Sequence, residues 1–259
     1  MKASTTRVKR IVAAVATAAF WLLLWQLVSA LVGMEMLFPS PTGVLSALIG
    51  LVKQARFWSI IAATAFRVIG GCLLGLVVGA ALAAAAFRSR IFERFISPIV
   101  YIVRSTPVAS FIIIALFWLG TSRVPTLICV LMVVPITLTN LLAGLRAVNV
   151  ELLEMADAFR LGRFKRLKAI YLPSVVPYFV SAASTGLGLS WKAGIAAEVI
   201  CRAKLSIGNE IFESKLYSTI TEMFAWTAVV IVLSVVFDKL LSYAVKAATR
   251  RFSDKEGQP

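Results

Sequence analysis

Apolar residues along the chain occur in long runs that are separated by short polar and basic segments. A helix needs about 20 apolar residues to cross the hydrocarbon core of a bilayer, because no water is available there to bond free backbone groups. The pattern therefore predicts an all-α, polytopic membrane protein with six transmembrane helices, organised as one domain over residues 1–259. The predicted spans lie at about residues 11–33, 59–86, 98–119, 124–145, 175–199 and 224–246.

Two of these runs need closer inspection. The first follows Lys9 and Arg10 and is about 22 residues long. Because a signal peptide has an apolar region of only about 7–15 residues, we expect this run to remain as a membrane anchor. The third run is interrupted by Arg104 and Pro107 and is the least regular of the six.

Two further patterns predict packing. Gly71, Gly75 and Gly79 are four residues apart, so they lie on one face of the second span, where another helix backbone can approach closely. Residues 38–58 carry apolar side chains at helical spacing after a proline-rich start. This segment is predicted to be an amphipathic helix on the outer surface.

Basic residues are concentrated at alternate ends of the six runs. The chain has 27 Lys and Arg against 12 Asp and Glu, a net charge of +15. The basic segments precede the first run and follow the second, the fourth and the sixth. By the positive-inside rule these segments lie in the cytoplasm, with both termini inside. Charge distributed in this way indicates topology, and we expect no nucleic-acid partner.

The composition also limits the possible chemistry. Hydrophobic residues make up 60% of the chain and its mean hydropathy is +0.90, far from the usual range of soluble domains. The chain has no His, and its three cysteines are isolated, so we expect no metal site and no cofactor. It has no Gly-x-x-x-x-Gly-Lys-Ser/Thr motif and no possible Ser/His/Asp triad, so it is predicted to be neither an ATPase nor another enzyme.

The predicted cytoplasmic loop 146–174 contains the segment EMADAFRLGRFKRLKAIYLP, which has five basic residues. Its apolar residues recur at helical spacing in two stretches, and Gly162 is predicted to end the first helix. Pro173 begins the next span, where its missing amide costs least. The loop is therefore predicted to be two short helices joined at a glycine.

The ends of this loop resemble the cytoplasmic motif of ABC importer permeases, the inner-membrane components of binding-protein-dependent transport systems. The family motif reads Glu-Ala-Ala, three residues, Gly, nine residues, Ile, one residue and Leu-Pro. Here Met155 replaces the first alanine, and Arg160 stands at the glycine position with Gly162 two residues later. The matching positions are Glu154, Ala156, Ile170, Leu172 and Pro173.

The resemblance extends over nearly the whole chain and is to the nitrate, sulfonate and taurine branch of these permeases. It is carried by FPSP after the first span, TAFRVIGGCLLGLVVG in the second, RSTPVASFIIIALFWLG in the third and GLGLSWKAGIAAEVI in the fifth. It implies the type I ABC importer permease architecture in the bacterial cytoplasmic (inner) membrane. The implied partners are a cytoplasmic ATP-binding subunit, an extracytoplasmic solute-binding protein and a second permease copy in a homodimer.

In that family the bent loop docks into a groove on the ATP-binding subunit. The alternative is contact between the basic side chains of the loop and lipid phosphates, worth about 1 kcal/mol per Lys or Arg. The residues that the resemblance assigns to ATPase docking are Glu154, Ala156, Arg160, Gly162, Ile170, Leu172 and Pro173.

Three ionisable residues inside the predicted spans are candidates for the translocation pathway, because each costs about 2.5–3.5 kcal/mol at the bilayer centre. Arg104 either snorkels to the cytoplasm or lines the pathway. Lys192 either snorkels outward or lines the pathway beside Trp191, where it favours an anionic or zwitterionic solute. Glu198 lies near the outer mouth, and the family has an acid at this place. Because Glu198 and Lys192 point about 120° apart on a helix, they are not expected to pair.

The expected function is thus that of a permease subunit without an ATPase site of its own. It would import a small anion or zwitterion such as nitrate, a sulfonate or taurine, or a thiamine precursor. One alternative is an ATP-independent channel or secondary transporter, which predicts internal repeats with broken helices at matching positions. The other is a membrane scaffold, whose loop would tolerate changes at Ile170 and Pro173 as long as its charge were kept.

Overall fold

The computed structural model describes residues 2–256, and the side chains of residues 12–240 and Tyr243. Within residues 2–256 the chain forms eleven α-helices and one π-helical segment, so the all-α prediction is confirmed. The helices are α1 (Lys2–Val32), α2 (Pro41–Val52), α3 (Ala55–Arg88), α4 (Arg90–Ser105), α5 (Val108–Leu119), α6 (Val124–Arg146), α7 (Val150–Ala158), α8 (Arg163–Arg166), the π-helix Leu167–Tyr171, α9 (Leu172–Cys201), α10 (Ile207–Leu216) and α11 (Ile220–Glu256).

Five stretches are long and apolar enough to cross a membrane. A sixth crossing is made if the bent pair α4 and α5 is counted as one span. The six predicted spans therefore correspond to five unbroken helical stretches and one broken one. The unbroken stretches are Val12–Val32, Ala55–Arg88, Val124–Arg146, Arg163–Cys201 and Ile220–Leu240.

The third span is broken at Thr106 and Pro107, where α4 and α5 meet at 106°. Thr106 is extended, with φ −80° and ψ 133°, because the ring of a following proline disfavours the helical conformation. The Thr106 amide still donates to the carbonyl oxygen of Ile102 at 3.0 Å, which completes the last turn of α4. Pro107 cannot donate an amide hydrogen bond, so the helix restarts only at Val108.

The glycine face of α3 packs directly on α6, as the spacing of the glycines predicts. A methyl group added at any of the three glycines would lie under 3 Å from an α6 side chain, closer than real Cβ contacts allow. The backbones of the two helices are therefore in close contact over the part of α6 from Thr126 to Thr137. The distances from the added methyl groups at Gly71, Gly75 and Gly79 are 2.6, 2.7 and 2.6 Å to the Cβ atoms of Cys129, Val133 and Thr137.

By its internal contacts the chain divides into two compact units. The first is Met1–Ile60 with Glu210–Val230, and the second is Ile61–Asn209 with Ile231–Pro259. The single permease domain expected from the sequence stays a prediction. All the predicted functional residues belong to the second unit.

In the first unit, α1 contacts the proline-rich segment that follows it. The indole nitrogen of Trp25 donates to the carbonyl oxygen of Pro39 at 3.0 Å, and the Trp25 ring lies 6.5 Å from Phe38 and 6.1 Å from Phe224. Ser40 then caps α2 by accepting from the Gly43 amide at 3.0 Å. The predicted surface helix over 38–58 is thus shorter, and its last residues already belong to α3.

Candidate functional site

The first helix of loop 146–174, α7, ends in a Schellman turn. The Leu161 amide donates to the carbonyl oxygen of Ala156 at 2.9 Å, and the Arg160 amide donates to that of Asp157 at 3.0 Å. Arg160 has a left-handed φ of +49°. This pair of bonds around one left-handed residue is the pattern that ends many helices, usually with glycine at that position. The chain therefore turns at the motif's glycine position although an arginine occupies it.

The predicted turn at Gly162 is wrong. Gly162 has φ −65° and ψ 155°, an extended conformation open to any residue, and it precedes α8 as its N-cap. The left-handed conformation of Arg160 costs about 1–2 kcal/mol relative to glycine. The register of the helix sets the turn, because two residues of α7, Ala156 and Asp157, provide its acceptors.

The loop has a small core of its own. Val148, Ala156 and Ile170 are buried and pack together, with Leu161 and Tyr171 against them. Ala156 has no exposed surface, and Ile170 has only 4%. These two motif residues therefore hold the halves of the loop together and cannot contact a partner through their side chains.

Polar contacts fix the same bend. The Arg166 side chain forms an ion pair with Asp157, and its Nε donates to the carbonyl oxygen of Leu161 at 2.8 Å. One arginine after the turn thus bonds to two residues around it. The loop is a folded unit and not a linker.

The loop continues into α9 through the π-helix Leu167–Tyr171. Pro173 cannot donate to the carbonyl oxygen of Ala169, four residues earlier, so the regular α-helical bond is missing at this point. A π-helical turn is a common response to a local irregularity and is frequent at functional sites. The Leu-Pro end of the motif thus forms a continuous but irregular helical connection between the loop and the membrane helix.

The exposed surface of the loop carries both polar and large apolar side chains. Glu154, Arg160 and Gly162 are exposed, and Leu172 is 45% exposed. Large apolar side chains are also exposed on the loop, and we call four of them, on either side of the turn, the apolar face: Met155, Phe159, Phe164 and Leu167, exposed by 46, 74, 79 and 55%. An exposed apolar patch bordered by charges is typical of a protein or membrane contact.

Glu198 is fully buried, and both of its carboxylate oxygens are bonded. Oε1 accepts from Arg67 Nη1 at 3.0 Å, forming an ion pair between α9 and α3. Oε2 accepts from Thr64 Oγ1 at 3.0 Å and from the Gly208 amide at 3.3 Å. Burying a charge is favourable only with such pairing and hydrogen bonding. Glu198 therefore connects three parts of the second unit.

The same cluster fixes the segment that follows α9. Arg67 donates from Nη2 to the carbonyl oxygen of Lys204 at 2.7 Å and from Nη1 to that of Leu205 at 3.1 Å. A methyl group at Gly208 would lie 2.4 Å from the Cβ of Glu198, so this position requires a residue without a side chain. Residues 204–208 are thus held against α3 and α9.

Trp191 and Lys192 point in different directions from α9. Trp191 is 2% exposed, and its ring lies 4.9 Å from that of Phe237. Lys192 is exposed, whereas Glu198 pairs with Arg67, so the expectation that Lys192 and Glu198 do not pair is confirmed. Lys192 shares its face of the helix with three other exposed polar residues, Ser181, Ser184 and Thr185.

Arg104 lies in the last turn of α4, next to the break in the third span. Its side chain is exposed and borders a cavity of about 540 Å³ between α4 and α6. Among the described residues no ion pair involves its guanidinium. The structure therefore brings Arg67 and Glu198 together, and leaves Arg104 and Lys192 on accessible surfaces of the second unit.

Most of the chain matches one known family of membrane proteins. The family described as "Binding-protein-dependent transport system inner membrane component" matches residues 71–254, which include the loop, the broken span and α9. The chain belongs to this family. It is the permease subunit of an ABC importer and, like its relatives, a multi-pass protein of the inner membrane and not an enzyme.

Individual relatives place the permease in the branch that the sequence motifs indicate. The taurine transport system permease protein of Escherichia coli (strain K12) is 22% identical over 258 residues, which cover 96% of this chain and 92% of the relative. The putative aliphatic sulfonates transport permease protein of Bacillus subtilis (strain 168) is 21% identical, over 88% of this chain and 82% of the relative.

A solved structure supports the fold. The MetNI methionine ABC transporter, in inward facing conformations, contains a chain that matches with a TM-score of 0.57 and 19% identity. The match covers 75% of the permease and 96% of that chain. The permease therefore has the fold of an ABC importer transmembrane subunit.

Reasoning from the sequence missed Arg67 as a functional candidate. A signal was present, because Arg67 is a lone cation in the second predicted span and Glu198 a lone acid in the fifth. Single charges of opposite sign in two spans favour a pair, since each would otherwise be isolated in the membrane.

Proposed function

We propose that the permease imports a small anion or zwitterion and couples this transport to a cytoplasmic ATP-binding subunit through loop 146–174. The observation that carries the proposal is the apolar face on a loop with a buried core of its own. A folded loop presents Phe159 and Phe164 in a fixed arrangement, which suits a pre-formed groove on a partner protein. A lipid anchor would need no such internal bracing.

The motif residues divide into two roles under this proposal. Ala156, Ile170 and Pro173 brace the loop and connect it to α9, so that movement of the loop is transmitted to the membrane helix. Glu154 and Arg160 are exposed beside the apolar face and are available to polar groups of the ATP-binding subunit. Coupling then requires both the contact surface and the rigid connection.

The pathway is proposed to run along the exposed polar face of α9. Serine, threonine and lysine side chains in a membrane helix are expected to face water or another protein and not lipid. A second permease copy across this face would enclose a polar route between the two chains. Lys192 supplies a positive charge to this route, while buried Trp191 and Glu198 position the helix behind it.

The relatives bear on the solute. They are named for taurine, a zwitterion, and for aliphatic sulfonates, which are anions. A cationic residue on the pathway face suits both. We therefore propose a small anion or zwitterion such as a sulfonate, nitrate or taurine as the solute, delivered by an extracytoplasmic binding protein to a homodimer whose termini lie in the cytoplasm.

Co-purification tests the coupling proposal. The permease is co-expressed with the ATP-binding subunit of its transport system, and the amount of that subunit retained on the tagged permease is measured. Phe164→Ser should reduce retention about tenfold, since loss of a central apolar contact weakens an interface to at least this degree. Phe66→Ser is the matched control, because Phe66 is similarly exposed, 81% against 79%, but lies on α3.

Lys165→Gln separates docking from lipid contact. If the loop only binds lipid phosphates, this change should weaken its contact with anionic lipid by about 1 kcal/mol, and Phe164→Ser should leave retention of the ATP-binding subunit intact. Full retention of the ATP-binding subunit by the Phe164→Ser permease would overturn the docking proposal.

A further inference from the structure

The cavity between α4 and α6 carries an unbalanced positive charge. Two cations and one acid are close to it, but Glu93 forms an ion pair with Arg146. Arg104, on the same wall, has no ion pair among the described residues. A guanidinium in a membrane-spanning region is costly without a counter-ion. The cavity therefore has a place for an anion.

Among the described residues that line the cavity, few side chains other than Arg104 can donate a hydrogen bond to an anion. The hydroxyls of Ser97, Ser105 and Thr139 each donate to a carbonyl oxygen of their own helix, at 2.7, 3.3 and 2.9 Å. Their protons are therefore already used. Among the described residues the Tyr101 hydroxyl makes no hydrogen bond, and the residue is 73% exposed on this wall. Arg104 and Tyr101 thus supply the available donors, and the acid that lines the cavity in the described part of the chain, Glu93, is already paired with Arg146.

The break in the third span sets the position of Arg104 beside the cavity. It lies two residues before the extended Thr106, so the backbone break fixes the place at which α4 ends. The cavity, about 540 Å³, is within the range of ordinary small-molecule sites, about 300–1,000 Å³. A planar guanidinium binds two oxygens of one oxyanion at once, which a lysine cannot do.

We propose that the cavity between α4 and α6 is a binding site for an oxyanion, a sulfonate or nitrate group, held by the guanidinium of Arg104 with the hydroxyl of Tyr101 as a second donor. The identity of this oxyanion as the transported solute rests on the proposed function. The presence of an anion site does not.

Thiol labelling measures the charge of the cavity without transport. Ser97 is exposed, lines the cavity and lies two helical turns before Arg104. The Ser97→Cys permease is labelled in membrane vesicles with a negatively charged and a positively charged methanethiosulfonate reagent, and each rate is divided by that of a free thiol. The native cysteines Cys72, Cys129 and Cys201 are buried, so they contribute little labelling.

The anionic reagent should react faster than the cationic one in the Ser97→Cys permease. Arg104→Gln should lower the ratio of the anionic to the cationic rate about tenfold. This is the smaller end of the effect that charged clefts have on local ion concentration. Arg104→Lys should retain most of the ratio. Arg90→Gln, a change of equal charge on the same helix but outside the cavity lining, should leave it unchanged. Equal ratios with and without Arg104 would overturn the proposal.

Protection identifies the ligand class. Millimolar ethanesulfonate or nitrate should slow labelling of the Ser97→Cys permease several-fold, and the same concentration of choline should not. If neither anion slows the labelling, the oxyanion site is overturned, even if the rate ratio depends on Arg104. Because labelling needs neither ATP nor the ATP-binding subunit, failure of the coupling proposal leaves these rates unaffected, and the two proposals fail separately.

Discussion

The carboxylate of Glu198 lies 3.0 Å from the guanidinium of Arg67, and this buried pair joins α9 to α3 within the second unit. Thr64 extends the pair, because its hydroxyl donates to Glu198 and accepts from the amide of Ile207, at 3.0 Å in both cases. The beginning of α10 is thereby fixed to the two membrane helices. The charges that looked like pathway candidates in the sequence are thus divided between a structural pair and accessible cations.

Glu198→Gln should strongly destabilise the permease. The change leaves Arg67 without its counter-ion, and removing one member of a buried pair costs about 3–5 kcal/mol. Since the Arg67 side chain is 17% exposed, water reaches it in part, and we expect a loss near the lower end of this range. The measurement is the midpoint of thermal unfolding of the purified permease in detergent.

The double variant Arg67→Met with Glu198→Leu is the control for that measurement. It removes both charges and should recover most of the lost stability, because no isolated charge remains. A double variant less stable than Glu198→Gln alone would mean that the hydrogen bonds from Arg67 to the carbonyl oxygens of Lys204 and Leu205 matter more than the ion pair.

Arg160→Gly should stabilise loop 146–174. Arg160 has φ +49°, where a side chain costs about 1–2 kcal/mol, whereas glycine adopts this conformation freely. Gly162→Ala should be nearly neutral, because φ there is −65° and no atom lies within 4 Å of an added methyl group. Limited proteolysis of the loop in the purified permease reports both effects as cleavage rates.

The pair of variants also locates the turn. Faster cleavage in Gly162→Ala than in Arg160→Val would place the left-handed residue at Gly162, contrary to the structure. Arg160→Val is the informative comparison, since a branched side chain is the least tolerant of positive φ.

The coarse fold could be predicted because a bilayer imposes a length and a composition on every span. The glycine face of α3 could also be predicted, because residues four apart, such as Gly71, Gly75 and Gly79, lie on one face of any regular helix. The residues at the two ends of the loop motif could also be recognised from the sequence. In each case a local pattern determines the outcome, with no need to know which distant residue it meets.

The remaining features depend on partners far along the chain. Pro107 predicted an interruption of the third span, but the 106° angle depends on how α4 and α5 pack on α6. The left-handed Arg160 is imposed by the bonds of its neighbours and by the packing of Ala156 against Ile170. Sequence propensity favours Gly162 for the turn, and tertiary packing overrides it.

Gly71→Ala should destabilise the permease, whereas Gly70→Ala should not. An added methyl group at Gly71 would lie 2.6 Å from the Cβ of Cys129 and 2.8 Å from the carbonyl oxygen of Thr126, so the two helices must move apart. Overpacking of this kind costs about 1–3 kcal/mol. Gly70 has nothing within 4 Å and is the matched control. Unfolding midpoints that fall equally in both variants would contradict the proposed α3–α6 contact.

Lys192→Met should reduce the rate of anion uptake. Lys192 is exposed on the polar face of α9, and a cation lining a narrow route raises the local concentration of anions about tenfold or more. The measurement is ATP-driven uptake of a labelled sulfonate by the reconstituted complex at low and high salt, because screening weakens the contribution of Lys192. Lys192→Arg keeps the charge and should retain most of the rate. If Lys192 only snorkels to the outer surface, uptake by Lys192→Met should equal that of the unchanged permease at both salt concentrations.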